Sequence, residues 1–144
     1  DAQRTIRAYE IKKYTKISMT DWFKNTKIIF SKDSFIKIYI DFPRTELIQR
    51  INKRTQKMLD QGAINEVRRF SKLKIKKDNS ATKIIGIKEI LKLLQGESSL
   101  SEVKDQISIK TRQYAKRQST WARGQMTDWQ KIEPQNLKLV LKKF

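Results

Sequence analysis

Residues 35–44 read Phe35-Ile36-Lys37-Ile38-Tyr39-Ile40-Asp41-Phe42-Pro43-Arg44. Up to Ile40 two sets of side chains interleave with period two, which predicts a β-strand. Pro43 cannot continue a ladder, has its φ preset for a first helical turn, and so predicts a strand-to-helix junction. After it the period changes. Leu47, Ile48, Ile51, Met58 and Leu59 fall on one helical face, predicting a helix over 45–59. Asp41 is expected to end the strand and cap that helix.

Working outward, Gly62 predicts a helix end or kink, with helix resuming over 64–70. Residues 67–77 hold six bases and no acid, and 74–80 read as loop. Helix is expected over 88–94, stopped by Gln95-Gly96. Ser99-x-x-Glu102 is a capping box for the longest helix, over 100–123 and ended by Gly124. On it Leu100, Val103, Ile107, Tyr114 and Trp121 drift slowly round one face. Arg112, Lys116, Ser119 and Arg123 share an opposed stripe about 60° wide at the usual 100° per residue. A short strand is expected over 129–132, closed by Pro134, and an amphipathic tail over 136–144. Toward the N-terminus, 2–14 reads as helix, while 15–32 is mixed, with Trp22, Phe23 and a β-branched run at 28–30.

The 144 residues amount to one domain, with a formal net charge of +18 from 33 Lys+Arg and 15 Asp+Glu. Such a chain meets a polyanion, nucleic acid or an anionic surface. Lysine outnumbers arginine 23 to 10, and isoleucine numbers 19, so part of the charge follows from base composition. Without Cys or His there is no disulfide, thiol nucleophile, His-based triad or zinc site. No apolar run has the length of a membrane span. The chain starts at Asp1, not Met, and is expected to be cut from a larger protein.

The basic helix over 106–123 mixes Tyr114, Gln118 and Trp121 with Arg112, Lys116, Arg117 and Arg123. It suits either phosphate gripping with base stacking or a solvated face over core aromatics. Residues 83–88 place Gly86 between apolar and basic residues, a site of close approach or an ordinary junction. No Gly-x-x-x-x-Gly-Lys-Ser/Thr loop occurs.

In order, the chain carries Gln3-Arg4-Thr5-Ile6-Arg7-Ala8-Tyr9-Glu10, Asp41-Phe42-Pro43-Arg44, Gly62 with Glu66-Val67-Arg68, Ile85-Gly86-Ile87-Lys88-Glu89, and Thr111-Arg112-Gln113-Tyr114-Ala115-Lys116-Arg117-Gln118-x-Thr120-Trp121. This series resembles the C-terminal half of the tRNA dimethylallyltransferase (isopentenyltransferase) family, whose pattern runs QRIIRALE, DxPR, GxxxEVR, AIGYKE, TRxYAKRQxTW. The resemblance implies the C-terminal part of a P-loop-type α/β enzyme with a helical insertion, mostly α here with one or two short strands. Residues 1–30 would end the tRNA-binding insertion, 31–133 belong to the nucleotide-binding-type catalytic core, and 134–144 form a tail. It implies transfer of a dimethylallyl group from dimethylallyl diphosphate to the exocyclic amine of the adenosine 3′ of the anticodon, in the cytoplasm.

The implied tRNA contacts are Gln3, Arg4 and Arg7; Lys83, Ile84, Ile85, Gly86, Ile87 and Lys88; and Lys116, Arg117, Gln118, Trp121 and Arg123. Arg68 is a candidate diphosphate contact, and Arg44 is structural. Magnesium is expected to be held mainly by the family's N-terminal half, where the phosphate loop and the general base lie. This segment alone is therefore expected to be inactive, its partners being a tRNA anticodon stem-loop, dimethylallyl diphosphate and a separate N-terminal half, with no membrane. Ile87 departs from the family's aromatic, and Tyr9 from its Leu. The alternative is a small non-enzymatic basic RNA-binding protein.

Overall fold

The computed structural model describes residues 2–142 except 28, 32, 33, 74, 77 and 78. The chain forms two compact units, 1–36 and 37–144.

In the first unit α1 spans Ala2–Thr15 and α2 spans Met19–Asn25. Lys16 between them takes a left-handed φ of 62°. The Thr15 hydroxyl holds the corner. It accepts hydrogen bonds from the Ile17 N–H and the Trp22 indole N–H, both at 3.2 Å. Ser18 caps α2 by accepting from the Asp21 N–H at 3.1 Å. The mixed reading of 15–32 therefore missed a helix whose Ser-x-x-Asp cap is in the sequence. The β-branched run at 28–30 lies partly outside the described residues.

In the second unit β1 is Ile38–Ile40. It is shorter than the alternation over 35–40 predicted, because among the described residues only 38–40 have a ladder partner. Phe35 and Ile36 lie outside it and are exposed. That partner is β2, Gln130–Ile132, which runs parallel with Tyr39 opposite Lys131. A parallel pair needs a long crossover, and this one carries the rest of the unit: α3 (Arg44–Asp60), α4 (Ala63–Ser71), α5 (Ile87–Leu94) and α6 (Leu100–Gln125). A short α7, Leu137–Leu141, follows β2. With α2 and α7 the described residues hold seven α-helices rather than the four or five expected. The mostly α class with two short strands stands.

Two local readings need correction. Pro43, not Asp41, occupies the cap of α3, with no side-chain hydrogen bond. Gly124 lies inside α6, which runs on to Gln125. Of the two alternatives for the aromatics of α6, a buried pair is ruled out, since Tyr114 and Trp121 are 51% and 57% exposed.

The core gathers Leu59, Ala63, Val67, Ile90, Val103 and Ile107 from α3 to α6. Gly62, at φ 106°, lets the chain turn from α3 into α4 within two residues, Gln61 and Gly62. Ile90 and Val103 are 1% exposed and pin α5 against α6. α5 has 8 residues and α6 has 26. At 1.5 Å per residue these are about 12 Å and about 39 Å, so α5 covers only the first part of α6. Beyond it the stripe of Val103 and Ile107 emerges into solvent as Tyr114 and Trp121.

Candidate nucleic-acid interface

Helix α6 presents two opposite sides past the core. On one, Lys110, Tyr114, Arg117 and Trp121 follow at steps of four, three and four, which keeps them on one stripe. The Arg117 guanidinium lies over the Tyr114 ring at 5.9 Å. An exposed aromatic beside a guanidinium offers a flat surface on which an unpaired base can stack.

The turn before α5 packs on this side of the molecule. The Ile87 N–H donates to the Ile84 carbonyl at 3.3 Å. Gly86 stands at the bend with φ 108°, and a Cβ there would lie 3.7 Å from Ile107 Cδ1. The Gly86 N–H donates to Glu89 Oε2 at 2.8 Å. Lys110 donates to the other Glu89 oxygen, Oε1. Glu89 is buried, 7% exposed. Burial alone would push its carboxyl up. The Lys110 hydrogen bond, the Glu89 and Gly86 backbone N–H groups and the Lys110 charge outweigh it, holding the group below 4.5. The turn so fixed leaves Ile84, Lys83 and Lys88 at or near the surface.

On the opposite side of α6, Arg112, Lys116, Ser119 and Arg123 line a groove of about 970 Å³. Its other wall comes from the junction quoted first: Tyr39, Asp41, Phe42, Pro43 and Arg44, then Leu47, Ile48 and Ile51 of α3. Lys131 and Glu133 of the β2 region line it too. The groove thus combines apolar side chains with five bases and two acids, Asp41 and Glu133.

The site residues expected from sequence are therefore divided. The 83–88 turn, Arg117 and Trp121 share one side of the second unit. Gln118 lies on α6 beside them. Lys116 and Arg123 face the groove instead, together with Arg112 and Arg44. Arg68 is on α4, where its Nη1 donates to Asn65 Oδ1 at 2.9 Å, and is not among the groove residues. Gln3, Arg4 and Arg7 lie exposed on α1 in the first unit, Arg7 paired with Glu10 at 3.4 Å. Sequence reasoning missed the Glu89–Lys110 pair, which lies 21 positions apart and on two elements. It also missed the groove role of Tyr39 and Lys131, which follows from a strand pairing no local pattern reveals.

Among the described residues no three acidic side chains come together to cage a metal. No helix among them is long and apolar enough to cross a membrane.

The second unit is a basic, α-rich one with a parallel strand pair, an exposed aromatic–guanidinium stripe and a groove lined by arginine and lysine. The IPP transferase family profile matches residues 1–125, and the chain belongs to that family. It is 55% identical over its whole length to a tRNA dimethylallyltransferase of Pelagibacter ubique, of which it covers 46%. It is 40% identical over 134 residues to one from Rhizobium johnstonii, covering 92% of this chain and 45% of that one. Its fold is similar to the crystal structure of a tRNA isopentenylpyrophosphate transferase from Staphylococcus epidermidis. The TM-score is 0.68 at 28% identity, with 99% of this chain and 46% of that chain covered. The corresponding Bacillus halodurans structure gives 0.63 at 30% identity, covering 91% and 38%. The chain thus spans less than half the length of the relatives it matches.

Proposed function

We propose that this chain is the RNA-holding part of an enzyme that transfers a dimethylallyl group from dimethylallyl diphosphate to the exocyclic amine of the adenosine 3′ of a tRNA anticodon. The observation that carries the reading is the exposed stripe of Tyr114, Arg117 and Trp121, which continues the side of α6 to which Lys110 joins the 83–88 turn through Glu89. Unpaired loop bases can stack there, while Lys83, Lys88 and Arg117 neutralise phosphates. The relatives' shared name favours this over a stand-alone RNA-binding protein.

The chemistry needs such a holder. An exocyclic amine is a weak nucleophile, and an allylic carbon bonded to diphosphate is primed to ionise. Orienting the two and neutralising the departing anion are what protein groups contribute. The target base must also leave its stack. Arg112, Lys116 and Arg123 beside apolar side chains give the groove the complementary features of a prenyl diphosphate, an anionic head on a short apolar body. Arg68 is a second candidate for the diphosphate. Magnesium would help that anion leave, held, on this reading, mainly by the N-terminal half of the family's enzymes. The reaction is placed in the cytoplasm, with tRNA as partner.

Fluorescence anisotropy with an anticodon stem-loop tests the reading. The affinity should fall steeply as salt rises, with a log–log slope of about −0.7 to −0.9 per phosphate engaged. A flat response would contradict it.

A further inference from the structure

The Glu89–Lys110 pair is the one buried carboxylate joined to a lysine among the described ion pairs, and no catalytic or RNA-contacting part has been given to it. Its geometry is specific. One carboxylate oxygen closes the turn through the Gly86 N–H, and the other is bonded to Lys110, so a single side chain ties the turn to α6. Lys110 begins the stripe that continues as Tyr114, Arg117 and Trp121. A Cβ added at Gly86 would lie 3.7 Å from Ile107 Cδ1 and 3.9 Å from Met58 Cε, so the turn lies close against side chains of α6 and α3.

We propose that Glu89 and Lys110 are a positioning pair that sets the 83–88 turn in register with the exposed stripe of α6, so that one RNA engages both. The proposal rests on the RNA-holding reading above and adds the element that makes two segments one surface. It carries a sign that a charge argument alone does not give. Replacing Glu89 by Gln removes a negative charge from a protein of net charge +18 and frees Lys110, which by bulk electrostatics strengthens RNA binding. Loss of register weakens it.

The experiment measures anticodon stem-loop binding by anisotropy for the 144-residue chain and for Glu89→Gln, Lys110→Met and Lys110→Arg, with thermal melts and the exchange rate of the Gly86 amide. Glu89→Gln is expected to weaken binding about fivefold, a coupling within the range for neighbouring groups. Lys110→Met should do the same, and Lys110→Arg should restore it. Adding Lys83→Ala and Lys88→Ala should cost less in the Glu89→Gln background than in the parent, because the turn is already displaced. Glu89→Gln binding as tightly as the parent or tighter, with its melt cooperative, would overturn the proposal. If Glu89→Gln does not fold, the Lys110→Met and Lys110→Arg comparison decides the same point. If the parent chain binds no RNA, the reading beneath falls. An unchanged Gly86 amide exchange in Lys110→Met separately overturns the clamp.

Discussion

At the scale of single residues, two glycines separate two effects of the same side chain. Gly62 holds φ 106° with open space around it, while Gly124 is helical with nothing near. Gly62→Ala should therefore destabilise by about 1–2 kcal/mol, the cost of left-handed backbone for a residue with a Cβ. Gly124→Ala should stabilise by about 0.5–1 kcal/mol, because a flexible helical residue is replaced by the best helix former. Urea melts of the two variants check both signs. Gly62 was legible in the sequence as a break between two apolar periodicities. Gly124 misled, because a glycine near a helix end reads as a stop whether or not the chain uses it.

At the scale of elements, α6 shows what patterning can and cannot tell. Its capping box was legible. The Ser99 Oγ accepts from the Glu102 N–H at 3.3 Å, and the Ser99 N–H donates to Glu102 Oε2 at 2.7 Å. Ser99→Ala should cost about 1 kcal/mol of stability. The Ser99 backbone and hydroxyl bonds hold the Glu102 carboxyl below 4.5. That contribution is present in full above pH 4.5 and is lost as the pH falls through the lower folded value. The melting-temperature difference between the parent and Glu102→Gln should accordingly shrink on acidification below pH 4.5. The basic groove stripe of Arg112, Lys116, Ser119 and Arg123 was legible too, since 100° per residue fixes which side chains share a side. Where a neighbour ends was not. Tyr114 and Trp121 continue the azimuth of Val103 and Ile107, and only the shortness of α5 leaves them in solvent. The strand pairing was equally out of reach, since Tyr39 and Lys131 lie 92 positions apart.

At the scale of the whole molecule, the net charge of +18 divides between lysines spread over the surface and arginines at chosen places. Arg112 and Arg123 face the groove and Arg117 the stacking stripe, where a planar fork serves phosphate better than an ammonium. The 144 residues contain no Gly-x-x-x-x-Gly-Lys-Ser/Thr loop to cradle a diphosphate. Incubated with tRNA and dimethylallyl diphosphate, this polypeptide is expected to bind RNA without transferring the prenyl group. Mass-spectrometric detection of prenylated adenosine would contradict that.

The claim that most needs a direct test is that the exposed stripe of α6 holds RNA. Arg117 and Trp121 are exposed, so replacing both by Ala should leave the melt of the chain nearly unchanged. Stacking contributes about 1–3 kcal/mol per base, so the anticodon stem-loop affinity of Arg117→Ala/Trp121→Ala should drop at least about fivefold. A paired RNA stem of the same length, without unpaired bases to stack, should lose less, only the phosphate contact of Arg117. Equal binding of the stem-loop by the parent and the double variant would contradict the account.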